Sequence, residues 1–203
     1  ILDLAKMQAG TFALNEADFA VRTLVEELEY MFGFQCAKKG LVFRVAASEA
    51  DLAATFHSDV GRVRQVLMNL ISNALKFTQR GSVIVGVAVR RKFEPESFSF
   101  GRALEFSVRD TGVGISAEDA KDLFKLFGTV KKHRDGLNQR GTGLGLSISK
   151  MLTQSMGGEI TVQSQEGFGT TFMFYIKEKN RYLDKDEENK EQSRINRDFE
   201  FSC

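Results

Sequence analysis

The chain has 203 residues, 42% of them hydrophobic and 27% charged, with a formal net charge of +1. That is room for one packed domain with appendages, and it lacks the basic excess of a dedicated nucleic-acid binder, so no nucleic-acid partner is expected. The two cysteines, Cys36 and Cys203, lie far apart in sequence and Cys203 ends a polar tail, so no disulfide framework is expected and the usage suits a reducing, cytoplasmic compartment.

No apolar run reaches the roughly 18–20 residues of a membrane span, so no direct membrane contact is expected of these residues. The opening Ile1-Leu2-Asp3-Leu4 has neither an initiator Met nor a signal-peptide pattern, and reads as the interior of a longer chain. Residues 1–9 read as the last turns of a helix stopped by Gly10, and Thr11 to Leu14 as a short strand. Asp18 opens an amphipathic helix with Val21, Leu24, Val25, Leu28 and Phe32 at helical spacing, ending near Lys38-Lys39-Gly40. Leu41 to Ala46 reads as a strand. Ser58 or Asp59 caps the next helix, whose apolar stripe is Val63, Val66, Leu67, Leu70, Ile71, Ala74 and Leu75.

Two period-two runs follow, Val83 to Val89 and Leu104 to Val108, joined by a hairpin loop over 91–102 that holds Pro95. A short helix starts near Ser116. Residues 128–141 are polar, with the cluster Lys131-Lys132-His133-Arg134, and read as a flexible loop. Thr142 to Met156 is a helix, and Ile160 to Ser164 with Thr170 to Ile176 a closing hairpin. From Lys177 on, the charge is high and apolar residues are sparse, which suits a linker or a disordered tail. Runs of helices and strands predict an α/β (α+β) two-layer sandwich, a mixed, mostly antiparallel sheet with helices on one face.

Opposite the apolar stripe of the 59–77 helix sit Arg62, Gln65, Asn69, Asn73 and Lys76, spaced by three and four along one face. Such a face is often only solvated. Two Asn are nevertheless poor helix formers, and their amides suit a metal ion and phosphate oxygens, with the positive charge of Lys76 nearby. Val108 to Ile115 contains Asp110, Gly112 and Gly114: a carboxylate at a strand end and glycines that admit a flat ligand, or a plain Asp-x-Gly turn. Gly141-Thr142-Gly143-Leu144-Gly145-Leu146 leads into a helix N-terminus, whose free amides and dipole favour phosphate, but it is neither a Walker loop nor a dinucleotide fingerprint. Gly167-Phe168-Gly169-Thr170 reads as a tight turn, or as a device to bring the Thr170 hydroxyl beside Asp110.

In this order these segments resemble the catalytic ATP-binding domain of histidine kinases, in the superfamily that also holds type II topoisomerase, heat-shock chaperone and mismatch-repair ATPases. Gln65 to Thr78 matches the N box, Asp110 to Ile115 the G1 box, Leu123 to Phe127 the F box, Gly141 to Gly145 the G2 box, and Gly167 to Thr170 the last glycine motif. The resemblance implies a Bergerat fold over 11–176, preceded by the end of a dimerisation and phosphoacceptor hairpin at 1–10 and followed by a charged linker or tail at 177–203.

It further implies that Asp110 binds the adenine amino group, with Thr170 helping through water. Asn73 holds Mg²⁺, Asn69 and Lys76 meet phosphates, and Gly112, Gly114, Gly141, Thr142, Gly143, Leu144, Gly145 and Leu146 shape the pocket. Residues 128–140 form an ATP lid hinged at Phe124 and Phe127. The resemblance leaves open which of Lys131, Lys132 and Arg134 reaches the γ-phosphate.

Hydrolysing relatives carry a Glu where this chain has Asn69, and an amide cannot act as a general base. ATP held for transfer to a protein nucleophile is therefore expected over rapid hydrolysis. A chaperone-like ATPase clamp and a docking module that no longer transfers phosphate are the competing readings. The only histidines, His57 and His133, lack the acidic neighbour of a phosphoacceptor, so the acceptor is expected upstream, on the dimerisation domain of a homodimeric parent. The tail suits a linker to a receiver domain or a plain disordered end.

Overall fold

Two sequence patterns, one of helical period and one of period two, meet face to face in the computed structural model, which describes residue 6 and residues 9–94, 99–125 and 143–178. The order is β1 (Ala17–Ala20), α1 (Val21–Lys38), β2 (Val42–Ala46), α2 (Glu49–Leu52), β3 (Thr55–Ser58), α3 (Val60–Phe77), β4 (Ser82–Glu94) and β5 (Ser99–Asp110). Then come α4 (Ala117–Ala120), α5 (Gly145–Ser155), β6 (Glu159–Gln165) and β7 (Gly169–Lys177).

Five strands form one sheet in the order β2-β4-β5-β7-β6. The β2–β4 pair is parallel; the other three pairs are antiparallel. Alternation sends Val83, Val85 and Val87, Leu104, Phe106 and Val108, and Phe172, Phe174 and Ile176 to one buried face. Against it lie α1, burying Val21, Leu24, Val25, Leu28 and Phe32, and α3, burying Val63, Val66, Leu67, Leu70, Ile71 and Ala74. Each Val, Leu, Ile or Phe side chain among them contributes about 1.5–3 kcal/mol relative to exposure. Phe106 and Phe174 stack at 5.0 Å in the middle of the sheet.

The start of α3 is fixed by Asp59. Its Oδ1 accepts from the Arg62 amide at 3.0 Å and its Oδ2 from the Asn15 amide at 2.8 Å. The far end of α3 is tied by Lys39, whose Nζ donates to the Leu75 carbonyl at 2.5 Å. This helix therefore carries its polar face in a set position, anchored at both ends.

Several boundaries differ from the expectations. Thr11 to Leu14 is not a strand; the strand is β1, which pairs antiparallel with β3. Asp18 lies inside β1 and does not cap α1, because its Oδ1 sits 2.9 Å from His57 Nδ1. The helix begins at Val21, whose amide donates to the Ala54 carbonyl at 3.0 Å. The β4–β5 hairpin pairs as far as Glu94 with Ser99, so much of the expected 91–102 loop is strand. The α5 helix begins at Gly145, three residues after the expected Thr142.

Candidate functional site

Asp110 ends β5, in register with Val83 of β4 on one side and Thr170 of β7 on the other. Only 6% of its surface is exposed. Its Oδ1 accepts a hydrogen bond from the Gly112 amide at 2.8 Å. Burial, which disfavours the charged form, pushes the carboxyl above the usual carboxylate range. The amides of Gly112 and Thr170 and the nearby Thr78 hydroxyl oppose that shift without cancelling it. Thr78 Oγ1 is itself buried and meets no partner at full hydrogen-bond geometry among the described residues.

The backbone after Asp110 runs close under the end of α3. A Cβ on Gly112 would collide with the Phe77 carbonyl and lie 2.9 Å from Asp110 Oδ1. Glycine is therefore required here by close approach. Gly114, at φ 66°, turns the chain away toward β6. Ile115 then donates its amide to Ser164 Oγ at 2.8 Å. Ser164 in turn contacts Thr170 Oγ1 at 2.8 Å and donates to the Gly169 carbonyl at 3.0 Å. The segments around the carboxylate are thus tied to one another.

The polar face of α3 is half-buried at Asn69, Asn73 and Lys76. Asn69 Nδ2 donates to Ser149 Oγ of α5 at 2.9 Å. A Cβ on Gly145 would collide with Asn69 Oδ1, so the glycine lets the start of α5 rest on this amide. Asn73 makes no side-chain hydrogen bond among the described residues. Lys76 Nζ lies 4.9 Å from the centre of the Phe77 ring.

Leu144 is the N-cap of α5, and Gly145, Leu146 and Ser147 form its first turn. Their amides belong to the set a helix cannot satisfy internally. The Ser147 hydroxyl is spent on the Leu144 carbonyl at 2.9 Å. Phe124 packs edge-on against Phe172 at 6.3 Å, with Lys150 Nζ 5.8 Å from its ring centre. Phe127, Gly141, Thr142 and the expected lid at 128–140 lie outside the described residues.

The structure therefore gathers Asp110, Gly112 and Thr170 at one end of the sheet, and Asn69 and Gly145 where α3 meets α5. It adds two hydroxyls that lie outside every motif, Ser149 and Ser164, and brings Thr78, the last residue of the N box, close to Asp110. Their signal is tertiary, since each acts on a residue distant in sequence or on another element. Among the described residues no three His, Cys, Asp or Glu side chains converge as a metal site. A hard cation held by one amide oxygen, with other oxygens from phosphate and water, is compatible with that donor set; a site for Zn²⁺ is not formed. Among the same residues no helix is long and apolar enough to cross a membrane.

This fold, a five-stranded mostly antiparallel sheet with helices on one face and a glycine-lined carboxylate at its end, is the Bergerat ATP-binding fold of histidine kinase catalytic domains. The chain belongs to the histidine kinase-, DNA gyrase B- and HSP90-like ATPase family, whose model matches residues 58–180.

Its relatives include the Aerobic respiration control sensor protein ArcB of Escherichia coli K12, 36% identical over 176 residues, covering 87% of this chain and 21% of that protein. Virulence sensor protein BvgS of Bordetella bronchiseptica is 40% identical over 173 residues, covering 84% of this chain and 13% of that protein. The chain thus spans about a fifth or less of the length of these relatives. Among solved structures, full-length ShkA in complex with AMPPNP matches at TM-score 0.70 and 28% identity, over 86% of this chain and 34% of that one. The nucleotide-free catalytic domain of histidine kinase ThkA matches at TM-score 0.64 and 25% identity, over 81% of this chain and 98% of that one. Within the family the chain is accordingly a catalytic ATPase domain of the histidine kinase type.

Proposed function

We propose that this domain binds Mg·ATP and donates the γ-phosphoryl group to a histidine on an upstream dimerisation domain of a homodimeric parent protein. The observation that carries the reading is the buried Asp110 carboxylate, held at the sheet end by the Gly112 amide and faced by glycine-lined backbone. A charged acceptor that is costly to bury needs a donor, and the exocyclic amine of adenine supplies one.

Each residue then has a task. Asp110 accepts from the adenine amine, Thr170 supports that edge, and Gly112 and Gly114 admit the flat base. Asn69 and Lys76 meet phosphate oxygens, and the first-turn amides of α5 at Gly145 and Leu146 face them, beside Gly143 and Leu144. Asn73, whose amide has no partner among the described residues, would hold Mg²⁺ together with phosphate and water oxygens. The ion, when bound, neutralises charge that develops on the phosphates. Phe124 and Phe127 would hinge a lid at 128–140, with Gly141 and Thr142 at its far end.

At the position where a hydrolase needs a base stands Asn69, engaged with Ser149. An imidazole nitrogen of the acceptor then attacks the γ-phosphorus, the bond to the β–γ bridging oxygen breaks, and ADP leaves. The names of these relatives, both sensor proteins longer than this chain, fit a role in signalling as part of a longer protein.

The test is a titration of the chain with ATP, with and without Mg²⁺, beside the Asp110→Asn variant. Mg-dependent binding that the variant weakens by about 1–3 kcal/mol is expected. No binding to either protein returns the domain to a docking module, and rapid turnover by the isolated domain to a hydrolytic ATPase.

A further inference from the structure

Ser164 and Thr170 face each other as a cross-strand pair between β6 and β7. Thr170 is also the register partner of Asp110 on the other side, and its backbone amide serves that carboxylate. The Ser164 hydroxyl has three neighbours. The Ile115 amide donates to it at 2.8 Å, it lies 3.0 Å from the Gly169 carbonyl, and it lies 2.8 Å from Thr170 Oγ1.

A hydroxyl has one proton and two lone pairs. The Ile115 amide can only donate, and the Gly169 carbonyl can only accept. Satisfying both leaves Ser164 one lone pair, and among the described residues the group placed to fill it is the Thr170 hydroxyl, which is then the donor. With its proton committed sideways, Thr170 keeps only lone pairs for the pocket. Asp110, ionised, likewise offers only acceptors. The base-facing edge of the pocket therefore becomes acceptor beside acceptor.

We propose that Ser164 is a specificity-determining residue: by fixing Thr170 as a hydrogen-bond acceptor toward the pocket, it selects purines bearing an exocyclic 6-amine over 6-oxo purines. The proposal rests on the nucleotide reading given above and adds to it a residue that need not touch the base. An exocyclic amine presents two N–H donors to such an edge, whereas a 6-oxo group presents an acceptor. Without Ser164, the Thr170 hydroxyl is released to rotate and to donate, and the edge loses half of its bias.

The experiment is competition binding of ATP and inosine triphosphate to the chain, to Ser164→Ala, to Ser164→Thr and to Thr170→Val, with thermal denaturation of each. Wild type is expected to prefer ATP. Ser164→Ala is expected to lower the ATP-to-inosine-triphosphate preference about 3- to 10-fold, the size of one neutral hydrogen bond. Ser164→Thr, which keeps the hydroxyl, is expected to restore it. On the Thr170→Val background, removing Ser164 should change the preference no further.

A Ser164→Ala protein that melts earlier yet keeps the wild-type preference would reduce Ser164 to a staple for the Ile115 turn and overturn the proposal. So would an undiminished effect of Ser164→Ala on the Thr170→Val background. If Ser164→Ala does not fold, the Ser164→Thr and Thr170→Val proteins still decide. Wild-type preference in the first with reduced preference in the second supports the proposal, and unchanged preference in Thr170→Val overturns it. Wild type that binds ATP and inosine triphosphate equally would remove the proposal alone. Wild type that binds neither would remove the nucleotide reading with it.

Discussion

The two ends of the candidate site are built differently. At the base end, Asp110 sits in the sheet, buried, with its neighbours held by strand pairing and by the Ser164 contacts. At the proposed phosphate end, Asn69, Asn73 and Lys76 lie half-buried on one helix, and Asn69 is bonded across to Ser149 of α5. The first end is arranged in advance and can discriminate. The second leaves its polar groups half-buried, and there Asn69 is fixed by its bond to Ser149 and by the close approach of Gly145.

The comparison breaks most readily at Asp110. Asp110→Asn should cost ATP affinity about 1–3 kcal/mol by calorimetry, yet leave the nucleotide-free domain no less stable near neutral pH. The sign follows from burial: a carboxyl whose folded value is raised penalises folding once pH rises through it, and the amide is spared that penalty. A variant that loses both binding and melting temperature would mean that the carboxylate is chiefly a structural strut.

At the other end, Asn73→Ala should abolish the Mg²⁺ dependence of ATP binding while leaving metal-free ADP affinity nearly unchanged. Equal loss for both would move Asn73 from the phosphates to the fold. On acidification, ATP affinity should begin to fall above the ordinary carboxylate range, because the raised Asp110 group takes up its proton early. Asp110→Asn should lack this limb of the profile; a wild type without it would place the raised group elsewhere.

The smallest effect is expected from Ser149→Ala. Removing the acceptor of Asn69 Nδ2 should cost about 0.5–1.5 kcal/mol of stability, measured by denaturation, and leave the preference for ATP over other purines intact. A change in that preference would show that the two ends of the site are coupled through α5.

Long, strongly patterned elements were legible from the residues alone. The stripe of α3 and its Asp59 cap, the period-two runs of β4 and β5, and the closing hairpin all appear where pattern places them. The short pair β1 and β3 was not legible, since four residues give too little alternation to read. Asp18 misled for a particular reason: it has the chemistry of a helix cap, but tertiary contact spends it on His57, and α1 starts with no side-chain cap at all. In the site, Asp110, Gly112 and Asn69 were legible because they fall in motifs. Ser149 and Ser164 were not, and Thr78 stood in the N box without a role, since each matters only through a partner that folding brings to it.

One contact far from Asp110 has a mechanical meaning. Arg102 binds both carboxylate oxygens of Glu178, at 3.1 and 3.2 Å, and reaches the Thr55 carbonyl at 2.9 Å. It thereby rivets the end of β7 to β3, and β3 carries β1. Asp110 and Thr170 lie at the opposite end of the same strands, about 26 Å away at eight residues of extended chain. A torque applied through the segments flanking β1 and Glu178 would therefore turn the strands together as one lever, moving the far tip with Asp110 and Thr170 without parting those two residues.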